Sequence, residues 1–129
     1  MTRKPCRLST HTMDLQNQAE QFRHAYGVVN DPAKADMQLG LIREEYSELR
    51  DAHYDDSISD EATLKELADL VYVCYQYAEN LEWDLNQALC RVHESNMSKL
   101  GADGKPVRRD DGKILKGPNY RPPFLTDLV

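Results

Sequence analysis

An all-α fold is what this sequence predicts, and three observations carry the prediction. Apolar residues recur at helical spacing through four stretches between about Thr12 and Leu100. Helix-stopping and helix-starting residues fall between those stretches. Glycine and proline gather at the C-terminal end, where residues 101–129 hold four of the six of each.

Each element follows from local chemistry. Helix one is expected from about Thr12 to Tyr26, behind ten residues that read as a loose tail. Gly27 and "NDPAK" stop it, and Pro32 suits the first turn of helix two, expected over about Ala33 to Tyr54. "DDSIS" is a polar break. Ser59 or Asp60 can cap helix three, expected to run to about Leu81. "WDLNQ" offers a capping box, with Asp84 at the cap and Gln87 three residues on, and opens helix four toward about Leu100. From Gly101 the chain reads as turns and extended segments, with a short hairpin around "DDGK". The whole is read as one domain over 1–129: a helical body over about 12–100 and a strap over 101–129.

Charge divides the same way. The net charge is −6, yet the strap carries six Lys/Arg against four Asp. An acidic body with a basic strap does not suit a nucleic-acid polymer, which selects basic surfaces. The longest uncharged run, Leu70 to Ala78, is nine residues and cannot span a bilayer. The basic N-terminus leads into no apolar run, so no secretory signal is expected. Cys6, Cys74 and Cys90 form no C-x-x-C pair. They predict reduced thiols and an intracellular, cytoplasmic setting.

The informative feature is where acid meets oil. On a helical wheel, Met37, Leu41, Glu45, Glu48 and Ala52 share one face of helix two, so two glutamates interrupt an apolar line. In helix three, Leu67, Val71, Cys74, Ala78 and Leu81 make one apolar stripe. Leu70, Val73 and Tyr77 make a second, with Glu66 along it and Asp69 at its edge. A helix this apolar belongs at the centre of a bundle or at a subunit interface. Helix four begins its stripe with Leu85, Leu89 and Val92 and continues it with Asn96 and Lys99. Four inward carboxylates cannot all stay ionised without a partner. A divalent cation with oxygen ligands resolves the conflict, and Mg²⁺ fits best because it also bridges to phosphates.

These residues resemble a known superfamily. "EEYSE", seventeen residues, then "ELAD" is similar to the E-E-x-x-E…E-x-x-D signature of the all-α nucleoside triphosphate pyrophosphohydrolases. That group includes MazG-like proteins, dimeric dUTPases and phosphoribosyl-ATP pyrophosphohydrolases. "HESNMSKL" and "DGKILKGPNYRPP" resemble the C-terminal part of MazG-like members. The resemblance implies a four-helix bundle assembled as a homodimer or homotetramer. It implies hydrolysis of a nucleoside triphosphate to monophosphate and pyrophosphate, as house-cleaning of dUTP or a non-canonical dNTP. Glu45, Glu48, Glu66 and Asp69 then correspond to ligands of Mg²⁺, for which Mn²⁺ can substitute. Glu44, with Glu45, corresponds to the catalytic pair, Glu44 orienting or deprotonating the attacking water. Asn96, Lys99, Lys113, Lys116, Tyr120 and Arg121 correspond to substrate-binding positions.

The residues do not suit two other classes. A di-iron protein needs Glu-x-x-His, and no histidine here has Glu three residues before it. "HYDD" does not supply the adjacent His-Asp pair of another phosphohydrolase class. Phosphoribosyl-ATP as substrate, and a non-catalytic helical interaction module, stand as the alternatives.

Overall fold

The computed structural model describes residues 14–129; the expected N-terminal tail and the first two residues of helix one lie outside them. Four helices carry the fold: α1 (Leu15–Ala25), α2 (Ala35–Tyr54), α3 (Asp60–Asn80) and α4 (Leu85–Met97). The chain is all-α, as the sequence predicts, with one short hairpin. It divides into two compact units, Met13–Leu85 and a second that holds Asn86–Val129.

In the first unit, local signals set each boundary. The Asp14 side chain accepts from the Asn17 N–H and caps α1. Gly27, at φ 63°, closes α1: its N–H donates to the His24 carbonyl, and the Val28 N–H donates to the Arg23 carbonyl. This paired closure is the Schellman motif. Pro32–Lys34 form one 3₁₀ turn, so the α-helical part of α2 begins two residues later than expected. Ser59 caps α3 by accepting from the Ala62 N–H at 3.1 Å. α3 closes through the same motif as α1, but with Glu82 in the left-handed position at φ 59°.

α3 packs against both α1 and α2. Ala19 of α1 and Tyr75 and Ala78 of α3 are buried between them. Beside them runs a polar buried network. Arg23 donates to Asn30 Oδ1 at 2.8 Å, to Asn80 Oδ1 at 3.0 Å and to the Val29 carbonyl at 3.2 Å. Asn80 also exchanges two hydrogen bonds with the backbone of Asp31, at 2.8 and 2.9 Å. One buried amide thus ties the α1–α2 linker onto α3.

The wheel for α2 needs one correction. Met37 and Leu41 are exposed, and the less exposed line runs through Gln38, Ile42, Glu45, Leu49 and Ala52. Glu48 lies at its exposed border. In α3 the second stripe, with Glu66, Leu70, Val73 and Tyr77, is partly buried, while Leu67 and Val71 of the first stripe remain exposed.

The second unit contains nearly all of α4 and the strap. α4 ends at Met97, three residues before its expected end. The hairpin forms at "DDGK": Val107–Arg108 pairs antiparallel with Ile114–Leu115, and Gly112 turns at φ 87°. Arg91 is buried on α4, and its guanidinium grips the Asp127 carboxylate through both Nη atoms, at 2.5 and 3.0 Å, and the Phe124 carbonyl at 3.0 Å. Gly117 donates to the Lys99 carbonyl at 2.8 Å. A Cβ at Gly117 would strike the Leu100 carbonyl oxygen, so close approach requires glycine there. Among the described residues, no helix is long and apolar enough to cross a membrane.

Candidate metal centre

Glu45 and Glu48 stand one turn apart on α2, and Glu66 faces them from α3. One carboxylate oxygen from each lies within 4.8 Å of the other two. Burial raises the pKa of Glu45 most, followed by the charges of Glu48 and Asp69. A hydrogen bond with Glu48 and the charge of Glu66 act in the same direction. Glu45 Oε2 and Glu66 Oε2 are buried, and neither has a hydrogen-bond partner among the described residues. Buried anionic oxygens are costly unless something compensates them. Three oxygen donors converging from two helices, two of them with such orphaned atoms, fit a hard divalent cation.

Asp69 stands beside this trio. Its Oδ2 accepts from Lys65 Nζ at 2.7 Å, and the same ammonium is 3.8 Å from Glu66. Lys65 therefore supplies the local positive charge, a role the sequence does not announce because a lysine at i, i+4 to an aspartate is common on any helix surface. Glu44 is exposed and is not one of the three converging carboxylates.

Two smaller hollows lie beside α2 and α3, and only the first is lined by carboxylates of the cluster. One, of about 310 Å³, is lined by Glu48, Asp51, Ala52, Asp55, Ile58 and Glu66, among others. The other, also about 310 Å³, lies toward the N-terminal end of α2. A larger hollow of about 830 Å³ opens between α1 and the α3 terminus around Trp83. None of the signature carboxylates lines it, so its size alone does not make it the site of chemistry.

The remaining candidate residues belong to the second unit. Asn96 is exposed in the last turn of α4 and Lys99 is half-buried just beyond. Lys113 follows the hairpin turn, its N–H donating to Asp111 Oδ1 at 3.1 Å. Lys116 Nζ sits 4.7 Å above the Tyr120 ring, a cation–π pair. Arg121 is held by its backbone: its carbonyl accepts from Ser95 Oγ at 2.7 Å and its N–H donates to Ser98 Oγ at 2.9 Å. Its side chain is thereby left out of the anchor.

The buried Arg23–Asn80 network and the buried Gln38 went unread in the sequence. Arg23 is a cation amid the helical face of α1, and Gln38 sits in register with Glu45; both signals are legible only with the partner helix in view.

No curated protein matches the chain. A family model described as phosphoribosyl-ATP pyrophosphohydrolase matches residues 12–96, which include all four signature carboxylates and Asn96. Divalent metal is the typical cofactor of this family, and its activity is pyrophosphohydrolysis of a nucleotide. The converging carboxylates and the match along most of the chain agree: this protein belongs to the phosphoribosyl-ATP pyrophosphohydrolase family, within the MazG-like superfamily.

Proposed function

We propose that this protein hydrolyses a nucleoside triphosphate at the α–β phosphoanhydride bond, releasing the monophosphate and pyrophosphate, with Mg²⁺ at the carboxylate cluster. One observation carries the proposal: oxygens of Glu45, Glu48 and Glu66 converge within 4.8 Å while two buried carboxylate oxygens go unpartnered. Glu45, Glu48 and Glu66 hold the cation, and Asp69 joins them by exchanging its Lys65 partner. A bound divalent cation supplies screening of phosphate charge and activation of water. Glu44, exposed beside Glu45, orients the attacking water or takes its proton. Asn96, Lys99, Lys113, Lys116, Tyr120 and Arg121 offer amide, ammonium, phenol and guanidinium groups suited to sugar and leaving pyrophosphate. No covalent nucleophile is required, because phosphoryl transfer rests mainly on positioning and electrostatics.

The substrate reading favoured by the resemblance to MazG-like members is dUTP or a non-canonical dNTP. The match of residues 12–96 to the family favours a second reading, phosphoribosyl-ATP, with the same bond cleaved. The exposed apolar residues of α3 support assembly as a homodimer or homotetramer. Leu64 is 65 %, Leu67 45 % and Val71 41 % exposed, and a soluble monomer rarely leaves such a patch bare.

The test is a substrate panel of dNTPs, dUTP and phosphoribosyl-ATP with Mg²⁺ or Mn²⁺, reading pyrophosphate against orthophosphate. Pyrophosphate with a monophosphate is expected from one substrate class. Orthophosphate release, or none, defeats the reading.

A further inference from the structure

α4 carries a polar stripe that the strap reads in reverse. Arg91, Ser95 and Ser98 follow one another at i, i+4 and i+7 and share one face. Arg91 and Ser95 are buried, and Ser98 is half-buried just past the helix end, its N–H still donating to the Glu94 carbonyl at 3.0 Å. Along the strap, the Gly117 N–H meets the Lys99 carbonyl, Arg121 meets Ser98 and Ser95, and Phe124 and Asp127 meet Arg91. The strap therefore runs antiparallel to α4, tied at its start, its middle and its end.

The middle tie is the unusual one, because it holds a single residue by both backbone groups. The Arg121 N–H donates to Ser98 Oγ at 2.9 Å, and the Arg121 carbonyl accepts from Ser95 Oγ at 2.7 Å. Ser98 is itself oriented: its hydroxyl donates to the Ser95 carbonyl at 2.6 Å, which leaves its lone pairs for Arg121. Pro122 comes next, and a residue before proline is confined to extended backbone. The Arg121 backbone is thus fixed from two sides, while its side chain is exposed and in no ion pair among the described residues.

Two more cations share this end of α4. Lys99 carries the carbonyl that holds Gly117, and Lys116, beside Gly117, lies over the Tyr120 ring. Neither is in an ion pair among the described residues. Cations gathered without carboxylate partners suit a polyanion. A guanidinium on a fixed backbone has less freedom to lose when it binds one. The other two ties keep the strap on α4 without Ser98, so the hydroxyl of Ser98 serves the aim of Arg121. We propose that Ser98, with Ser95, is a positioning residue that presents the Arg121 guanidinium to the phosphoryl groups released as pyrophosphate. The inference rests on the pyrophosphohydrolase reading above.

The experiment uses the full chain with Mg²⁺ and the best nucleotide of the panel. Arg121→Gln should raise KM by about 10-fold or more, with kcat changed far less. Ser98→Ala should raise KM by about 3-fold or more and add nothing further in the Arg121→Gln background. Ser95→Ala, which removes the partner of the Arg121 carbonyl, should act in the same direction and be silenced by Arg121→Gln in the same way. Ser98→Thr, which keeps a hydroxyl, should restore most of the wild-type KM. Titration calorimetry with inorganic pyrophosphate and Mg²⁺ should rank the variants in the same order, and circular dichroism verifies that they are folded. A merely structural tie would lower the melting temperature of Ser98→Ala and leave KM and pyrophosphate affinity unchanged, which would overturn the assignment. So would serine effects that add to that of Arg121→Gln, or no gain in KM from Ser98→Thr over Ser98→Ala. Pyrophosphate release with these KM values unmoved defeats the positioning alone. If the wild type releases none from any nucleotide, the pyrophosphohydrolase reading itself has failed and takes this inference with it.

Discussion

Glu45 concentrates the physics of the site in one residue. Its carboxyl is pushed above the usual glutamate range by burial first, then by three neighbouring acids. In the metal-free protein a raised folded-state pKa favours folding below the unfolded value, and that contribution is lost as pH rises through the folded pKa. Glu45, where ionised, therefore weakens the metal-free fold. Glu45→Gln should raise the melting temperature without Mg²⁺ and abolish the further rise that Mg²⁺ gives the wild type, both read by calorimetry. The pH profile of kcat/KM should lose activity on the acid side earlier than an ordinary glutamate would dictate, because protonated Glu45 cannot bind a cation. Glu48→Gln or Asp69→Asn should lower turnover by about 100-fold or more with the helical spectrum kept. Near-wild-type hydrolysis in either variant would remove these residues from the metal site. Buried Asn80 makes the structural counterpart: Asn80→Ala strips partners from Arg23 and from Asp31, and should cost about 2–4 kcal/mol in denaturant unfolding.

Helix ends show how element-scale rules were honoured and where they were bent. α1 closes on Gly27, but α3 closes on Glu82, an L-residue in left-handed geometry at φ 59°. That conformation costs roughly 1–2 kcal/mol, against about 0.5–1 kcal/mol for the greater unfolded freedom of glycine. Glu82→Gly should therefore stabilise by about 0.5–1 kcal/mol, measured as a shift in the urea midpoint at constant slope. In the second unit, Gly117→Ala should loosen the strap from the Lys99–Leu100 backbone, seen as faster amide exchange over residues 114–121. The cap at Ser59 and the hairpin at "DDGK" were legible because each depends on a few consecutive residues. The early end of α4 was not, since helical spacing continues through Asn96 and Lys99, past the point where Ser98 Oγ donates to the Ser95 carbonyl at 2.6 Å.

Across the whole molecule, assembly is the open surface. Met37 at 55 % and Leu64 at 65 % exposure lie among other bared apolar side chains of α2 and α3. If copies of the chain cover them, Leu64→Glu with Leu67→Glu should reduce the sedimenting species to a monomer at micromolar concentration. Sedimentation unchanged by the pair would rule that face out. The sequence by itself determined the helices and their order, the hairpin, and the acids that belong to the signature, because caps, turns and periodicity act over a few residues. Only the tertiary structure decided that Glu45, Glu48 and Glu66 converge while Lys65 holds Asp69, and that Gln38, not Met37, turns inward. A helix fixes the angles between its own side chains, but the direction in which that whole set faces is chosen by the packing of α2 on α3.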